Sequence, residues 1–300
     1  MQIPFVDVIV PHLDDHARLA VCLDHLRTQS YPAERFRVTV VDNGSKQPID
    51  GLLARFGWQA AFEAERGCGS ARNRGVAITD GDILAFTDSD CRPDPDWVLN
   101  AARRLAAGEA DVLGGAIKVF AADENAPTDV ELFDKVFGFE PERYIRFKHF
   151  ACGANIVVPR SVFRAVGPFR NGELPEDLEW GRRAHALGFR LAYAPDAVIR
   201  HPARKSWDEL RRKTDRTTFH ARNYMRERPL FHLKWAAYTA GIASPPLYKC
   251  WQVLRSAELE RPDHRLRTIA ALFRIRWYRA LTMAGCLLDA ETVGRAKFEG

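Results

Sequence analysis

The sequence predicts an α/β fold: a Rossmann-like, mostly parallel sheet flanked by helices and followed by a helical, basic C-terminal extension. Three observations support this prediction. Short apolar runs alternate with segments of helical periodicity in the first third of the chain, which indicates parallel strands joined by crossover helices. Three of those runs end in acidic or glycine-containing loops. The last third carries an excess of basic residues.

The first predicted strand covers residues 5–10, an apolar run that ends at Pro11. A helix follows, because apolar residues recur at helical spacing from residue 19 to residue 26. The next elements are expected to be a strand at 36–41, a weak strand at 58–62, a helix from residue 67 and a strand at 83–87. Asp94-Pro95 has the composition of a helix start, a capping side chain followed by proline.

Beyond these elements the pattern changes. Residues 114–158 mix apolar runs and aromatic residues in a way that favours antiparallel pieces. Residues 176–187 are expected to form a short helix with Gly188 as its C-terminal cap, and residues 206–225 a basic helix.

Composition limits the class of protein. The chain has 300 residues, of which 46% are hydrophobic, enough for a substantial core. Its six cysteines are scattered without a CxxC pair, which indicates reduced thiols. The N-terminus lacks the pattern of a signal peptide. The sequence contains no run of about 18 apolar residues, the length that a transmembrane helix needs. We therefore expect a cytoplasmic protein.

The charge is distributed unevenly. Residues 201–300 carry 20 Lys and Arg against 10 Asp and Glu, whereas residues 1–200 carry 24 against 29. The acidic part is expected to need a cation to hold a phosphate, and the basic part to be attracted to an anionic surface.

Three Asp-x-Asp motifs occur close together, at 80–82, 88–90 and 94–96. Only Asp88-Ser89-Asp90 directly follows an apolar strand. Two carboxylates there can bind a hard divalent cation, which can bridge both phosphates of a nucleotide diphosphate. The alternative is an ordinary polar strand end.

Four ordered segments resemble the motifs of the inverting glycosyltransferases of family 2, which have the GT-A fold. They are FRVTVVDNGS at 36–45, GSARNRG at 69–75, GDILAFTDSD at 81–90 and PED at 175–177. The resemblance covers roughly residues 3–205. It implies a catalytic region at 1–205, with a donor half at about 1–115 and an acceptor half at about 116–205. Residues 206–300 form the basic, mostly helical remainder.

The resemblance also implies roles on the donor side. Pro11 would pass under the nucleobase and Asp42 would accept a hydrogen bond from it, while Arg66 or Arg72 would lie near the base or diphosphate. Asp88 would approach the ribose or metal, and Asp90 would ligate Mg²⁺ or Mn²⁺. The family usually has an aromatic-Asn pair after the first strand, where this chain has His12-Leu13-Asp14. Asp42 and Asp88 can alternatively be simple strand ends, and Arg72 a solvated helix residue.

Inversion requires a carboxylate that takes the proton of the acceptor hydroxyl. The resemblance places this base at Asp177, with Glu176 orienting it or touching an acceptor hydroxyl. Favourable interaction with the helix dipole is the ordinary alternative for both acids.

Four further residues complete the predicted site. Gly153 and Asn155 resemble the segment that lines the acceptor pocket, and Trp180 can stack on a sugar or pack in the core. A late histidine joins the metal or diphosphate in some relatives, and His201 is the candidate here, with a structural role as the alternative.

The C-terminal third also carries an apolar stripe at helical spacing, Leu266, Ile269, Ala270, Phe273, Trp277 and Leu281. Four arginines flank this stripe, Arg265, Arg267, Arg274 and Arg276. The pattern fits a helix lying in the interface of an anionic membrane or one packed on the catalytic region. No nucleic-acid module accompanies the charge, so we expect no nucleic-acid partner.

The sequence therefore predicts a metal-dependent glycosyltransferase. It would move a sugar from a nucleotide diphosphate donor to a glycan or lipid-linked acceptor in the synthesis of bacterial surface polysaccharide or glycolipid, at the inner face of the membrane. The alternatives are a nucleotidyltransferase and a non-catalytic, membrane-associated subunit of a polysaccharide assembly.

Overall fold

The computed structural model describes residues 3–172 and 174–288. The chain divides into two compact units. The first unit consists of residues 1–118 and 140–202, and the second of residues 119–139 and 203–300. Residues 119–139 thus belong with the C-terminal unit in the structure, although they fall within the predicted acceptor half. The functional division at residue 205 stays a prediction.

Eight strands form one sheet in the order β3-β2-β1-β4-β7-β6-β8-β5. The strands are β1 Val6–His12, β2 Phe36–Asp42, β3 Gln59–Phe62, β4 Ile83–Phe86, β5 Arg92–Pro93, β6 Val112–Phe120, β7 Ile156–Pro159 and β8 Leu191–Pro202. The helices are α1 His16–Arg27, α2 Asp50–Leu53, α3 Cys68–Ala77, α4 Trp97–Ala106, α5 Asp129–Phe137, α6 Pro141–Arg143, α7 Arg160–Val166, α8 Glu176–Ala186, α9 Trp207–Arg226, α10 Phe231–Ala243, α11 Leu247–Arg255 and α12 Pro262–Leu288.

The first half of the sheet is parallel. β1 pairs with β2 and β4, and β2 pairs with β3, in each case in the parallel sense. β1 is buried along its whole length, as is β4. Burial explains the apolar sequence of β4 and that of β1 apart from Asp7 and His12. All four strands end at the same edge, where the acidic loops emerge.

The second half of the sheet is antiparallel. β7 pairs antiparallel with β4 and β6, and β5 pairs antiparallel with β8. This confirms the antiparallel character predicted for residues 114–158. The α/β fold predicted from the sequence is present, as a mixed sheet flanked by helices.

Helix α1 follows the predicted spacing, since Leu19, Cys22, Leu23 and Leu26 are all buried. The predicted start at Asp94 is wrong: α4 begins at Trp97 after Asp96. The strand pairing of β5 with β8 extends the backbone into this segment. The Asp94 carboxylate bonds to Arg200 at 2.7 Å and its N–H donates to the carbonyl of Val198.

Within the second unit, α5 starts with a capping box: the Thr128 hydroxyl accepts from the Glu131 N–H and the Glu131 carboxylate accepts from the Thr128 N–H. Trp235 of α10 is fully buried and donates to the carbonyl of Met283 at 2.9 Å. Arg267 of α12 bonds to Asp129 at 2.6 Å. Across residues 3–172 and 174–288, none of the helices has the length and apolarity needed to cross a bilayer.

Candidate active site

The candidate site lies where the parallel strands end. His12, the last residue of β1, is opposite Asp42, the last residue of β2. Phe86 closes β4 opposite Ile9 of β1, so the Asp88-Ser89-Asp90 loop emerges at the same edge. The topology thus brings together the loops that the sequence singled out.

Hydrogen bonds join the loops after β1 and β2. Asp42 accepts from the N–H of Ser45 at 3.0 Å. The Ser45 hydroxyl accepts from the N–H of Asp14 at 2.9 Å, and Asp14 in turn accepts from the N–H of Lys46 at 2.7 Å. Pro11 is buried at the end of β1. Sequence reasoning did not assign Asp14 this structural role, which depends on a contact between two loops.

Arg66 lies against the loop after β2. Its Nη1 donates to the carbonyl of Asn43 at 3.1 Å. Gly44 has φ +90°, and a Cβ there would come within 3.3 Å of the Arg66 guanidinium carbon. The Asn43 side chain binds the carbonyls of Glu63 and Glu65, which holds the strand that leads to Arg66. Arg66 is therefore fixed beside Asp42 and its loop.

Arg72 is buried in the centre of the site, at 2% exposure. It donates to Asp88 Oδ1 at 2.8 Å and to Glu176 Oε1 at 2.7 Å. Burial opposes its charge, but the attraction of Asp88 and Glu176 outweighs burial and raises its pKa. Whether Arg66 or Arg72 lies near the base or diphosphate of a donor stays a prediction. Arg72 connects the metal motif to the late acidic motif.

Asp88, Asp90, Cys91 and His201 bring one ligand atom each into a cluster in which these atoms lie within 4.8 Å of one another. The donor set of two carboxylates and an imidazole fits a divalent cation such as Mg²⁺ or Mn²⁺. Burial raises the pKa of Asp90, and the charge of Asp88 adds to this rise. A bound cation would relieve the repulsion between the two acids.

His201 is oriented for this cluster. Its Nδ1 lies 2.8 Å from the carbonyl oxygen of Pro202, which can only accept, so Nδ1 carries the proton. The other nitrogen, Nε2, lies 3.8 Å from Asp90 Oδ1. This is the arrangement of metal-ligating histidines, whose second nitrogen is held by a backbone carbonyl.

Asp177 lies at the start of α8. Its Oδ2 accepts from the N–H of Gly153 at 2.9 Å and its Oδ1 from the N–H of Leu178 at 2.7 Å. Burial raises the pKa of Asp177 to about 6, and the neighbouring charge of Glu176 contributes to the rise. Such a carboxylate is ionised at neutral pH and is more basic than an ordinary aspartate, as a general base requires.

The side chain of Asn155 lies in the core beside the site. Asn155 is 1% exposed and its amide is fully used: Nδ2 donates to the carbonyls of Ala116 and Ala197, and Oδ1 accepts from Trp97 Nε1. The role of the Gly153–Asn155 segment on the acceptor side stays a prediction. Gly153 positions Asp177, and a Cβ on it would come within 2.7 Å of the Arg72 guanidinium nitrogens.

Trp180 does not present a face to a sugar. It is 1% exposed, stacks on Phe163 with ring centroids 5.6 Å apart, and donates from Nε1 to the carbonyl of Gly167 at 2.9 Å. The structure thus shows the second of the two alternatives for Trp180, packing in the core.

Two residues of the site were missed by sequence reasoning. Cys91 belongs to the metal cluster, and its position directly after the Asp-x-Asp motif was the available signal. His12 is 2% exposed and neither ring nitrogen has a hydrogen-bond partner within the described residues. Burial lowers the pKa of His12, with His16 adding to the effect, so the ring is neutral.

Comparison with known proteins identifies the family. Residues 7–167, more than half of the chain, match the family described as "Glycosyl transferase family 2". The chain is 27% identical over 309 residues to Glycosyltransferase AglE of Haloferax volcanii, with 99% of this chain and 96% of that protein covered. It is 24% identical over 220 residues to Probable glycosyltransferase YdaM of Bacillus subtilis, with 69% of this chain and 52% of that protein covered.

Solved structures share the fold. The mannosyltransferase PcManGT from Pyrobaculum calidifontis, in complex with GDP-Man and Mn²⁺, has a TM-score of 0.64 at 18% identity, over 97% of this chain and 89% of that chain. Residues 1–349 of TarS from S. aureus superpose with a TM-score of 0.53 at 17% identity. The match covers 91% of this chain and 72% of that chain. The relatives favour sugar transfer over nucleotidyl transfer. The chain belongs to glycosyl transferase family 2 and is a glycosyltransferase with the GT-A fold.

Proposed function

We propose that this chain transfers a sugar from a nucleotide diphosphate to a hydroxyl of a glycan or lipid-linked acceptor, with inversion and with Mg²⁺ or Mn²⁺ bound. The observation that carries the proposal is the link through Arg72. One guanidinium holds Asp88 of the metal cluster and Glu176, the neighbour of Asp177. A cation-binding group and a basic carboxylate are thereby held in one network.

The donor side consists of the loops after β1, β2 and β4. Asp88, Asp90 and His201 would hold the cation, which supplies charge neutralisation for the departing diphosphate. Asp42 and Arg66 flank the adjoining loop and would contact the nucleoside part of the donor. PcManGT is described with GDP-Man and Mn²⁺, which supports a nucleotide sugar as the donor class here.

Asp177 is the proposed general base. Its carboxylate receives the proton of the acceptor hydroxyl while the acceptor oxygen bonds to the anomeric carbon and the bond from that carbon to the diphosphate breaks. The two N–H groups that bind Asp177, from Gly153 and Leu178, fix the carboxylate in place. Inversion follows when the base and the leaving group lie on opposite faces of the sugar.

A donor assay tests this proposal. GDP-mannose, UDP-glucose and UDP-N-acetylglucosamine are incubated with the full chain and Mn²⁺, and released nucleoside diphosphate is quantified with and without EDTA. We expect release from at least one donor that depends on the cation. Release of sugar phosphate and nucleoside monophosphate, or none from any donor, would contradict the proposal.

We also propose that the second unit binds an anionic membrane surface, which would keep the enzyme at the inner face of the membrane beside a lipid-linked acceptor. Four apolar side chains of the predicted stripe are exposed, Leu266 at 68%, Phe273 at 46%, Trp277 at 61% and Leu281 at 59%. Tyr248 and Trp251 of α11 add exposed aromatic surface, at 68% and 52%.

The flanking arginines are partly engaged within the unit. Arg267 bonds to Asp129, Arg276 donates to the carbonyls of Gly241 and Ser244, and Arg274 lies 4.0 Å from the Trp207 ring centroid. We therefore expect the insertion of aromatic side chains to contribute more to membrane binding than the attraction of the arginines to anionic lipids. Each basic side chain near an anionic surface adds about 1 kcal/mol to the binding free energy.

Sedimentation with vesicles tests this surface. The wild-type chain is expected to pellet with phosphatidylglycerol vesicles and less with phosphatidylcholine or at high salt. The double variant Phe273→Ala/Trp277→Ala should lose most of this binding. Phe62→Ala/Leu187→Ala, which removes side chains of the first unit that are 60% and 57% exposed, is the matched control. Equal pelleting of both variants would refute the surface.

A further inference from the structure

The cation cluster contains a donor that a magnesium or manganese site does not need. Cys91 is fully buried and its Sγ lies 3.8 Å from Asp90 Oδ1. The N–H of Cys91 donates to the carbonyl of Asp88 at 3.1 Å, and this tight turn folds the thiol back toward the two carboxylates. The cluster thus offers one sulfur, one imidazole nitrogen and two carboxylate oxygens.

Hard and soft cations use such a set differently. Mg²⁺ and Mn²⁺ prefer oxygen ligands and retain positions for water and phosphate oxygens. Zn²⁺ and Cd²⁺ favour sulfur and nitrogen, and zinc with four protein ligands is tetrahedral and closed. The affinity of a nitrogen, oxygen and sulfur site also rises from Mn²⁺ to Zn²⁺.

We propose that Cys91 completes a four-ligand site for a thiophilic cation such as Zn²⁺, and that occupation of this site shuts out the donor diphosphate. Asp88, Asp90, Cys91 and His201 supply the four ligands. The Cys91 sulfur binds the ion and its proton leaves to solvent, so no oxidant or reductant takes part. The inhibitory consequence rests on the proposed role of the same cluster in donor binding.

The four ligands of the proposed site lie close together, and one of them is held in place by the backbone. The four ligand atoms already lie within 4.8 Å of one another. His201 is held through Nδ1 by the carbonyl of Pro202, and its Nε2 lies 3.8 Å from Asp90 Oδ1. A second buried thiol, that of Cys22, donates to the carbonyl of Asp88 at 3.7 Å without belonging to the four-ligand set. The chain therefore provides its own control for a nearby thiol.

The test uses metals alone on the full chain. Co²⁺ replaces Zn²⁺ and gives a thiolate-to-cobalt charge-transfer band in the near ultraviolet when sulfur is bound. We expect this band in the wild type, in Cys22→Ala and in Cys68→Ser, which removes an exposed thiol. The band should be absent from Cys91→Ser and from Cys91→Ala, and Zn²⁺ should abolish it in the wild type.

Calorimetry adds a second readout. Zn²⁺ affinity is expected to fall by more than about tenfold in Cys91→Ser, the loss that even removal of an outer partner causes at zinc sites. The ratio of Zn²⁺ to Mn²⁺ affinity should fall with it. One equivalent of Zn²⁺ should also prevent binding of UDP or GDP in the presence of Mn²⁺ to the wild type.

A missing cobalt–thiolate band in the wild type, or one that survives in Cys91→Ser, would overturn the four-ligand site. Because the wild-type spectrum needs no substitution, the test holds even if a variant does not fold. Failure of the donor assay leaves the metal titrations interpretable. Conversely, cation-dependent donor turnover without a thiolate band would retain the proposed function and refute this inference.

Discussion

The two acidic pairs of the site, Asp88 with Asp90 and Glu176 with Asp177, share one arrangement. Arg72 binds one member of each, Asp88 at 2.8 Å and Glu176 at 2.7 Å. The remaining member of each pair, Asp90 or Asp177, has a pKa raised by burial. In each pair, one acid is anchored and the other is kept available for chemistry.

The difference between the pairs lies in their other partners. Asp90 shares its surroundings with Cys91 and His201, groups that bind cations. Asp177 receives hydrogen bonds from the N–H groups of Gly153 and Leu178. The same residue type is therefore suited to bind a cation at one place and to accept a proton at the other, according to its neighbours.

The largest expected effect comes from removing the base. Asp177→Asn should reduce turnover by ~10²–10⁴-fold, because an amide cannot take the acceptor proton. Single-turnover transfer with a saturating donor measures this. Glu179→Gln is the matched control on the same helix, since Glu179 pairs with Arg183 and should matter little. Turnover of Asp177→Asn within a few-fold of wild type would contradict the assignment.

Breaking the link between the pairs should cost stability. Arg72→Met leaves two carboxylates without their common partner and should lower the free energy of unfolding by about 3 kcal/mol, at the lower end for buried pairs because both acids stay partly exposed. Urea denaturation measures it. Arg74→Met, an exposed position on α3, is the control. An equal effect of the two substitutions would show that the link is unimportant.

Asp90→Asn should raise the Mn²⁺ concentration needed for half-maximal turnover by roughly 10–100-fold, since the loss of a ligand costs at least as much as the loss of an outer partner. A cation titration of activity gives this value. Asp96→Asn changes an exposed acid of the neighbouring Asp-Pro-Asp motif and should have no effect. An unchanged Mn²⁺ requirement in Asp90→Asn would exclude it as a ligand.

The pH dependence of turnover tests the role of Asp177 without mutation. Asp177 has a pKa of about 6, so it is ionised above pH 6 and protonated below. Only the ionised form accepts a proton, and turnover should therefore fall by about tenfold per pH unit below pH 6. A pH–rate profile at saturating donor and Mn²⁺ tests this. A profile that stays flat down to pH 5 would contradict the pKa or the role.

The local sequence pattern was sufficient to predict the strands and the loops at their ends. The predicted strands at 36–41 and 83–87 appear as β2 and β4, and their apolar character reflects burial. Asp94 was misassigned because a local helix-start pattern cannot anticipate the pairing of β5 with β8. Residue-to-residue spacing thus captures elements but not the pairing between distant strands.

The interior of the site could not be predicted in the same way, because it depends on contacts between residues far apart in the sequence. Arg72 meets Asp88 and Glu176 across 16 and 104 positions in sequence. Asn155 could be assigned to the acceptor pocket from the family resemblance, and Trp180 from its residue type. Whether either side chain faces a pocket or the core depends on how its element packs. The raised pKa of Asp177 likewise follows from burial, which exists only in the folded chain.

The most direct test of the division between the two pairs is one calorimetric experiment on Asp90→Asn and Asp177→Asn. Each variant is titrated with the nucleoside diphosphate of the active donor, with and without Mn²⁺. We expect Asp90→Asn to lose the Mn²⁺-dependent part of the affinity. Asp177→Asn should keep it within about threefold of wild type, because a base acts in the transition state. An equal loss in both variants, or a larger loss in Asp177→Asn, would contradict the division between the two pairs.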